Sequence, residues 1–183
     1  TVIILDNTST DENFFFEQDI SYSENTKNVI FLYLEQLERT YLDENLFPGL
    51  TPNLARLEEL SLSFTDISSP KATNWTIAGM SASQCGIPLY TPLASGSSMS
   101  GVDKFLPSAL CVGDILKNRD YNLHFIGGAD LNFGGKGKFY KSHGFEIVEG
   151  WTELKTQINN QYYRSPWGVS VSYTHLTLPT TVF

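Results

Sequence analysis

The sequence predicts an α/β protein: a mostly parallel sheet with helices on both faces. Three features carry that expectation. Apolar runs of strand length alternate with segments of helical period. The run from Val29 to Leu34 is apolar throughout, as a strand buried on both faces would be. The segment "NLHFIGGAD" passes from a strand pattern directly into a glycine-rich turn. With 183 residues, 41% of them hydrophobic, the chain can bury the core of one ordinary domain.

In chain order, residues 1–27 are polar and acidic around the aromatic run Phe14 to Phe16, and read as a linker or edge segment. "NVIFLYLEQLERT" supplies the first strand, with Glu35 at its carboxyl end. Ligands of open α/β sheets bind at such ends, so Glu35 is either a functional acid or a solvated strand terminus. "TPNLARLEEL" reads as a helix capped by Thr51, with Pro52 in its first turn and Leu54, Leu57 and Leu60 on one face. "SLSFTDIS" follows as a short strand. The loop "SSPKAT" leads into a helix from about Asn74 to Ser83 that stops near Gly86 and Pro88. "PSALCVGDILKNRDY" is a helix with Ala109, Val112, Ile115 and Leu116 inward. After the strand "NLHFI", the segment "FYKSHGFEIVEG" closes with a helix end and a strand, and no internal repeat interrupts the alternation.

Charge and cysteine usage exclude several functions. Twelve Lys and Arg against twenty Asp and Glu give a formal charge of -8, so nothing neutralises the phosphates of a nucleic acid. The most apolar segments, "TVIIL" and "NVIFLYL", fall well short of the roughly 20 residues of a membrane helix, and no export signal opens the chain, so it reads as soluble. Cys85 and Cys111 form neither a CxxC nor a local Cys/His cluster, which argues against zinc and thioredoxin chemistry. A single disulfide and two buried thiols remain as alternatives.

Thr73 and Thr76 stand where the loop becomes a helix. A threonine hydroxyl is a weak nucleophile that needs a base or a metal, but a helix N-terminus can hold a phosphate beside it. The competing reading makes Thr73 an N-cap and Thr76 a first-turn residue. "NWT" at Asn74 and "NTS" at Asn7 are glycosylation sequons in form, short enough to occur by chance.

Taken together, "YLEQLERTYLDENLFPGLTPNLARL", "TNWTIAGMSASQCGIPL", "LPSALCVGDILKNRDYNLHFIGGADLNFGGKGKFYKSHGF" and "YYRSPWG" resemble the phosphoglycerol transferases. These are membrane-anchored relatives of the lipoteichoic acid synthases, in the sulfatase-like part of the alkaline phosphatase superfamily. The resemblance spans about Asn28 to Gly168 and covers the N-terminal part of a catalytic domain. It implies a truncated sheet of that fold. It also implies a ping-pong transfer, in which a metal-activated threonine attacks phosphatidylglycerol, releases diacylglycerol, and passes phosphoglycerol to a periplasmic glucan. A divalent metal, manganese or magnesium rather than zinc, is implied with it. So is a place at the periplasmic face of the bacterial inner membrane, with membrane attachment through N-terminal helices not in these residues.

Residue by residue, Glu35 matches the family's metal-binding glutamate, although Gln36 stands where members usually carry Ser. Spacing to "CGIP" puts Thr73 on the nucleophile and metal-ligand position, with Thr76 the alternative. Lys136 falls nearest a substrate arginine, and as a lysine it can act as a phosphate point charge but not a bidentate fork. Asp130 and Asn132 are expected to hydrogen-bond glycerol hydroxyls, against the alternative of a solvated glycine turn. The synthases carry an aromatic residue at His143, so packing is expected there. A periplasmic address would permit a Cys85–Cys111 disulfide. "CGIPL" departs from the Cys-x-Pro-x-Arg of sulfatases that use formylglycine, which disfavours sulfate-ester hydrolysis.

The family's downstream Asp-His pair and further His have no counterpart here, so the segment by itself is not expected to be active. "VSVSYTHLTLPTTVF", residues 169–183, reads as a non-native tail, and His175 is not a replacement ligand. Two other readings stay open. A phosphoethanolamine transferase or other sulfatase-like phosphotransferase or hydrolase would share the threonine and metal. A noncatalytic glucan- or lipid-headgroup-binding segment would need neither.

Overall fold

The computed structural model describes residues 27–35, 37–90, 99, 102–156, 164–165 and 168–169. They belong to two compact units, residues 1–69 and 70–183, each described by itself. The expected linker, except Lys27, and the tail beyond residue 169 lie outside the described residues.

In the first unit a 3-10 turn, Arg39–Leu42, precedes α1, Pro52–Glu59. Proline opens α1, where its missing N–H costs nothing. Thr51 holds the N-cap position but does not cap with its side chain. Its hydroxyl donates instead to the Tyr41 carbonyl at 3.0 Å and ties the helix start to the preceding turn. The rings of Tyr41 and Phe47 meet at 5.4 Å, and Arg39 pairs with Glu58 at 2.7 Å. No described residue of this unit is buried; Leu57 and Leu60, on the apolar face of α1, are 59% and 74% exposed.

Two expectations fail here. Residues Val29 to Leu34 form no strand and are exposed, and "SLSFTDIS" forms no strand either. A strand is stabilised by ladder bonds to a neighbour, and both sheets among the described residues are made of other segments. Apolar composition gave these segments a face to bury but no edge to pair with.

The second unit is built on a β-α-β crossover. Strand β1, His124–Ile126, lies parallel to β2, Ile147–Glu149, with Phe125 opposite Val148. Between them run a 3-10 turn, Phe133–Gly135, and α4, Lys136–Ser142. Helical spacing puts Lys136, Phe139, Tyr140 and His143 on one side, and all four are buried. Phe139 meets Phe105 edge-on at 5.4 Å. Ile77 and Ala78 from α2, Thr76–Cys85, and Cys111, next to α3, Val112–Lys117, complete the core. The short helix α5, Trp151–Leu154, follows β2, and Glu153 accepts from the Gly150 N–H at 2.8 Å. Strands β3, Arg164–Ser165, and β4, Gly168–Val169, pair antiparallel. The fold class is α/β with a parallel pair, as the sequence predicts.

Helix α2 begins later than expected. Trp75 is its N-cap and Gly86, at φ 69°, terminates it, its N–H donating to Ala82 at 2.8 Å. Thr73 is therefore not the N-cap; it stays in the loop, and Thr76 is the first helical residue.

Candidate active site

The loop before α2 holds Thr73 in a defined conformation. Ala72 has a φ of 61°, a left-handed conformation that costs a residue with a Cβ on the order of 1–2 kcal/mol. The Thr73 hydroxyl donates to the Pro70 carbonyl at 2.7 Å, which closes the turn. The Thr73 carbonyl lies over α2: a Cβ at Gly79 would come within 3.4 Å of it. The start of α2 is not capped by a side chain. Trp75 could not do so, because an indole N–H donates but does not accept. A helix start of this kind is a place where an anion can be held.

The Lys136 turn packs against the same end of α2. A Cβ at Gly134 would lie 3.5 Å from Cβ of Ile77, the residue after Thr76. Lys136 itself is buried, 5% exposed, with its ammonium 5.1 Å from the Phe133 ring centre. Asp130 and Asn132 are placed elsewhere. With Lys138, Lys141, Thr152 and Glu153 they line a cleft of about 350 Å³ that neither Thr73 nor Lys136 lines. Asp130 also has local duties: it accepts from the Asn132 N–H at 2.8 Å and from the Thr152 hydroxyl at 3.4 Å. The expected substrate trio is therefore split, because the turn at Phe133–Gly135 intervenes and sends Asp130 and Lys136 to different surroundings.

Glu35 is exposed and falls in the first unit, Thr73 in the second. Oxygen donors of this kind suit magnesium or manganese, but such ions take six or more ligands. One carboxylate and one hydroxyl do not make that set.

A second cluster joins residues far apart in sequence. Cys85 and Cys111, 26 positions apart, are bonded as a disulfide. His143, 2% exposed, places Nε2 3.6 Å from Cys111 Sγ and 3.0 Å from the Phe105 carbonyl, and Nδ1 2.8 Å from Asp114 Oδ2. The same Asp114 oxygen accepts the Cys111 N–H at 2.9 Å. His143 does pack, against Phe139, but it also anchors a polar network that local spacing does not reveal. Asp114 was missed in the sequence; Asp three residues after Cys111 is a helix-start signal, and nothing local points from it to His143.

The α/β fold agrees with the family found by comparison. The sulfatase family model matches residues 27–178, and the chain belongs to that enzyme family. Phosphoglycerol transferase I of Escherichia coli O127:H6 is 48% identical to it over 141 residues, 77% of this chain and 18% of that protein. Phosphoglycerol transferase I of Salmonella arizonae is also 48% identical, over the same shares. The chain thus spans less than a fifth of the length of these relatives. A solved protein of the alkaline phosphatase superfamily from Vibrio parahaemolyticus aligns with 50% of this chain and 20% of its own, at 26% identity and a TM-score of 0.35. Enzymes of the sulfatase and alkaline phosphatase type typically use a divalent metal. Among the described residues no helix is long and apolar enough to cross a membrane.

Proposed function

We propose that this chain carries the nucleophile segment of a phosphoglycerol transferase, with phosphatidylglycerol as donor and a periplasmic glucan as acceptor. The observation that carries the reading is the Thr73 turn: a left-handed Ala72 followed by a hydroxyl held on the Pro70 carbonyl, in the loop that leads into α2. Thr73 is the nucleophile in this reading, ahead of Thr76. Its Oγ1 forms a bond to phosphorus, the bond from phosphorus to the diacylglycerol oxygen breaks, and diacylglycerol leaves with a proton. A glucan hydroxyl then takes the phosphoglycerol and restores the threonine.

The residues in hand contribute position and charge. The α2 N–H groups face developing negative charge on the phosphoryl oxygens, in the manner of helix-terminal anion sites. The Pro70 carbonyl orients the hydroxyl but cannot take its proton, so activation falls to groups outside this set. A divalent ion held with Glu35 and residues from the rest of the enzyme would supply Lewis acidity there. The cleft with Asp130 and Asn132 offers acceptor and donor groups that suit glycerol or sugar hydroxyls.

The test uses a full-length enzyme carrying this segment, incubated with headgroup-labelled phosphatidylglycerol. A covalent phosphoglyceryl adduct on Thr73, absent from Thr73→Ala, is the expected result. An adduct that survives Thr73→Ala and disappears with Thr76→Ala moves the nucleophile. No adduct, with transfer only from labelled phosphatidylethanolamine, replaces the donor.

A further inference from the structure

The geometry points to a redox-gated metal site at Cys85, Cys111 and His143: reduction of the disulfide creates a two-thiolate, one-imidazole centre for a soft divalent ion such as zinc. This inference is independent of the phosphotransfer reading. It uses none of the residues assigned to that chemistry.

Three observations carry it. The two sulfurs and a His143 ring nitrogen all lie within 4.8 Å of one another. Cys111 Sγ and His143 Nε2 are 3.6 Å apart; for tetrahedral zinc with Zn–S of about 2.3 Å and Zn–N of about 2.05 Å, the S···N distance is about 3.5 Å. His143 is also held as a ligand would be, with Nδ1 2.8 Å from the Asp114 carboxylate, which fixes the ring and leaves Nε2 as the nitrogen for the ion. Nε2 donates to the Phe105 carbonyl, 3.0 Å away, and the ion would take the place of that hydrogen bond. Two thiolates and an imidazole select zinc over magnesium or manganese.

The conversion needs a reductant of the dithiol class. Cys85 is partly exposed and Cys111 is buried, so a dithiol thiolate attacks Cys85 Sγ. The protein S–S bond breaks, and its electron pair leaves on Cys111 as thiolate beside His143. The reductant's second thiolate attacks its own sulfur in the mixed disulfide and frees the Cys85 thiolate. The dithiol ends as a cyclic disulfide, two electrons having passed to the protein and two protons to solvent. The metal ion then binds both thiolates and Nε2, displacing any proton Nε2 carries.

The experiment titrates the 183-residue chain with cobalt(II) as a spectroscopic stand-in for zinc, before and after anaerobic dithiol reduction and removal of the reductant. The expected result is about one ion per reduced chain, with thiolate-to-cobalt charge-transfer and tetrahedral ligand-field bands, bleached by zinc. The oxidised chain is expected to give neither band. Cys85→Ser should weaken binding at least about 100-fold, and Asp114→Asn by about 10–100-fold, as loss of a partner that orients a ligand does. Binding that is equal in the oxidised chain, unaffected by Cys85→Ser, or absent from the reduced chain overturns the inference. A reduced chain that loses its far-ultraviolet dichroism overturns it as well, because the site then has no fold to hold it.

Discussion

The rings of Phe125 and Tyr140 stack with their centres 3.9 Å apart and their planes 17° from parallel, joining the middle of β1 to the last turns of α4. This contact locks the crossover helix onto the strand it follows. It sits inside a larger aromatic group, since Tyr140 also meets Phe139 at 5.2 Å and Phe145 at 4.7 Å. The ring–ring component is worth about 0.5–1.5 kcal/mol, less than the transfer and cavity cost of deleting the side chain. Phe125→Ala should therefore destabilise the chain by about 3–5 kcal/mol in urea denaturation, and Phe125→Leu by clearly less. Equal losses would mean that stacking, not volume, dominates.

Gly113 is required by a close approach rather than by its φ. A Cβ there would collide with the His143 carbonyl oxygen and come within 2.8 Å of the Phe145 ring. The first obstacle is backbone, so α3 and the turn after α4 must separate. Gly113→Ala should cost up to about 2 kcal/mol net, the roughly 1–3 kcal/mol of overpacking less the roughly 1 kcal/mol that alanine's helix propensity returns. The readout is the denaturation midpoint. A stabilised variant would show that the two backbones are not in contact.

The part of the fold legible in the sequence was the part made by nearby residues. Pro52 at a helix start, Gly86 at a helix end, and the β1–α4–β2 order all follow from local chemistry and from the short span a crossover needs. Val29 to Leu34 misled because hydrophobicity reports a wish for burial, whereas a strand also requires a partner edge. At the candidate site, "CGIP" spacing and the loop-to-helix transition pointed to Thr73, but the left-handed turn at Ala72 carries no sequence mark, since alanine is not a residue that favours it. The Cys85–Cys111 pairing was among the expectations, but the place of His143 beside it was not legible, for another reason. The three residues come from α2, the start of α3 and the end of α4, and only tertiary packing brings them together.

Glu58 gives the first unit a measurable pH dependence. The Ser63 hydroxyl donates to its carboxylate at 2.6 Å and the Arg39 guanidinium lies 2.7 Å away, and together they hold its pKa below the ordinary value of 4.5, the serine bond contributing most. The folded value is depressed, so the stabilisation is present above the unfolded pKa and is lost as pH falls through the folded one. Ser63→Ala and Arg39→Ala should each raise the Glu58 midpoint in an NMR titration of side-chain carboxyl carbons. A midpoint that moves in neither variant would show that these two partners do not set it.

Ala72 offers a direct test of the strained turn that presents Thr73. A left-handed conformation costs alanine about 1–2 kcal/mol, whereas glycine adopts it freely but loses about 0.5–1 kcal/mol more in backbone entropy on folding. The first effect is the larger, so Ala72→Gly should be neutral to about 1 kcal/mol stabilising in chemical denaturation. Ala72→Val should lose about 1–2 kcal/mol, because a β-branched side chain is a poorer fit to positive φ. If valine were tolerated and glycine destabilising, residue 72 would not be left-handed in solution. The Thr73–Pro70 hydrogen bond would then need another explanation, since it is the tight turn at residues 71 and 72 that brings the hydroxyl back to the proline carbonyl.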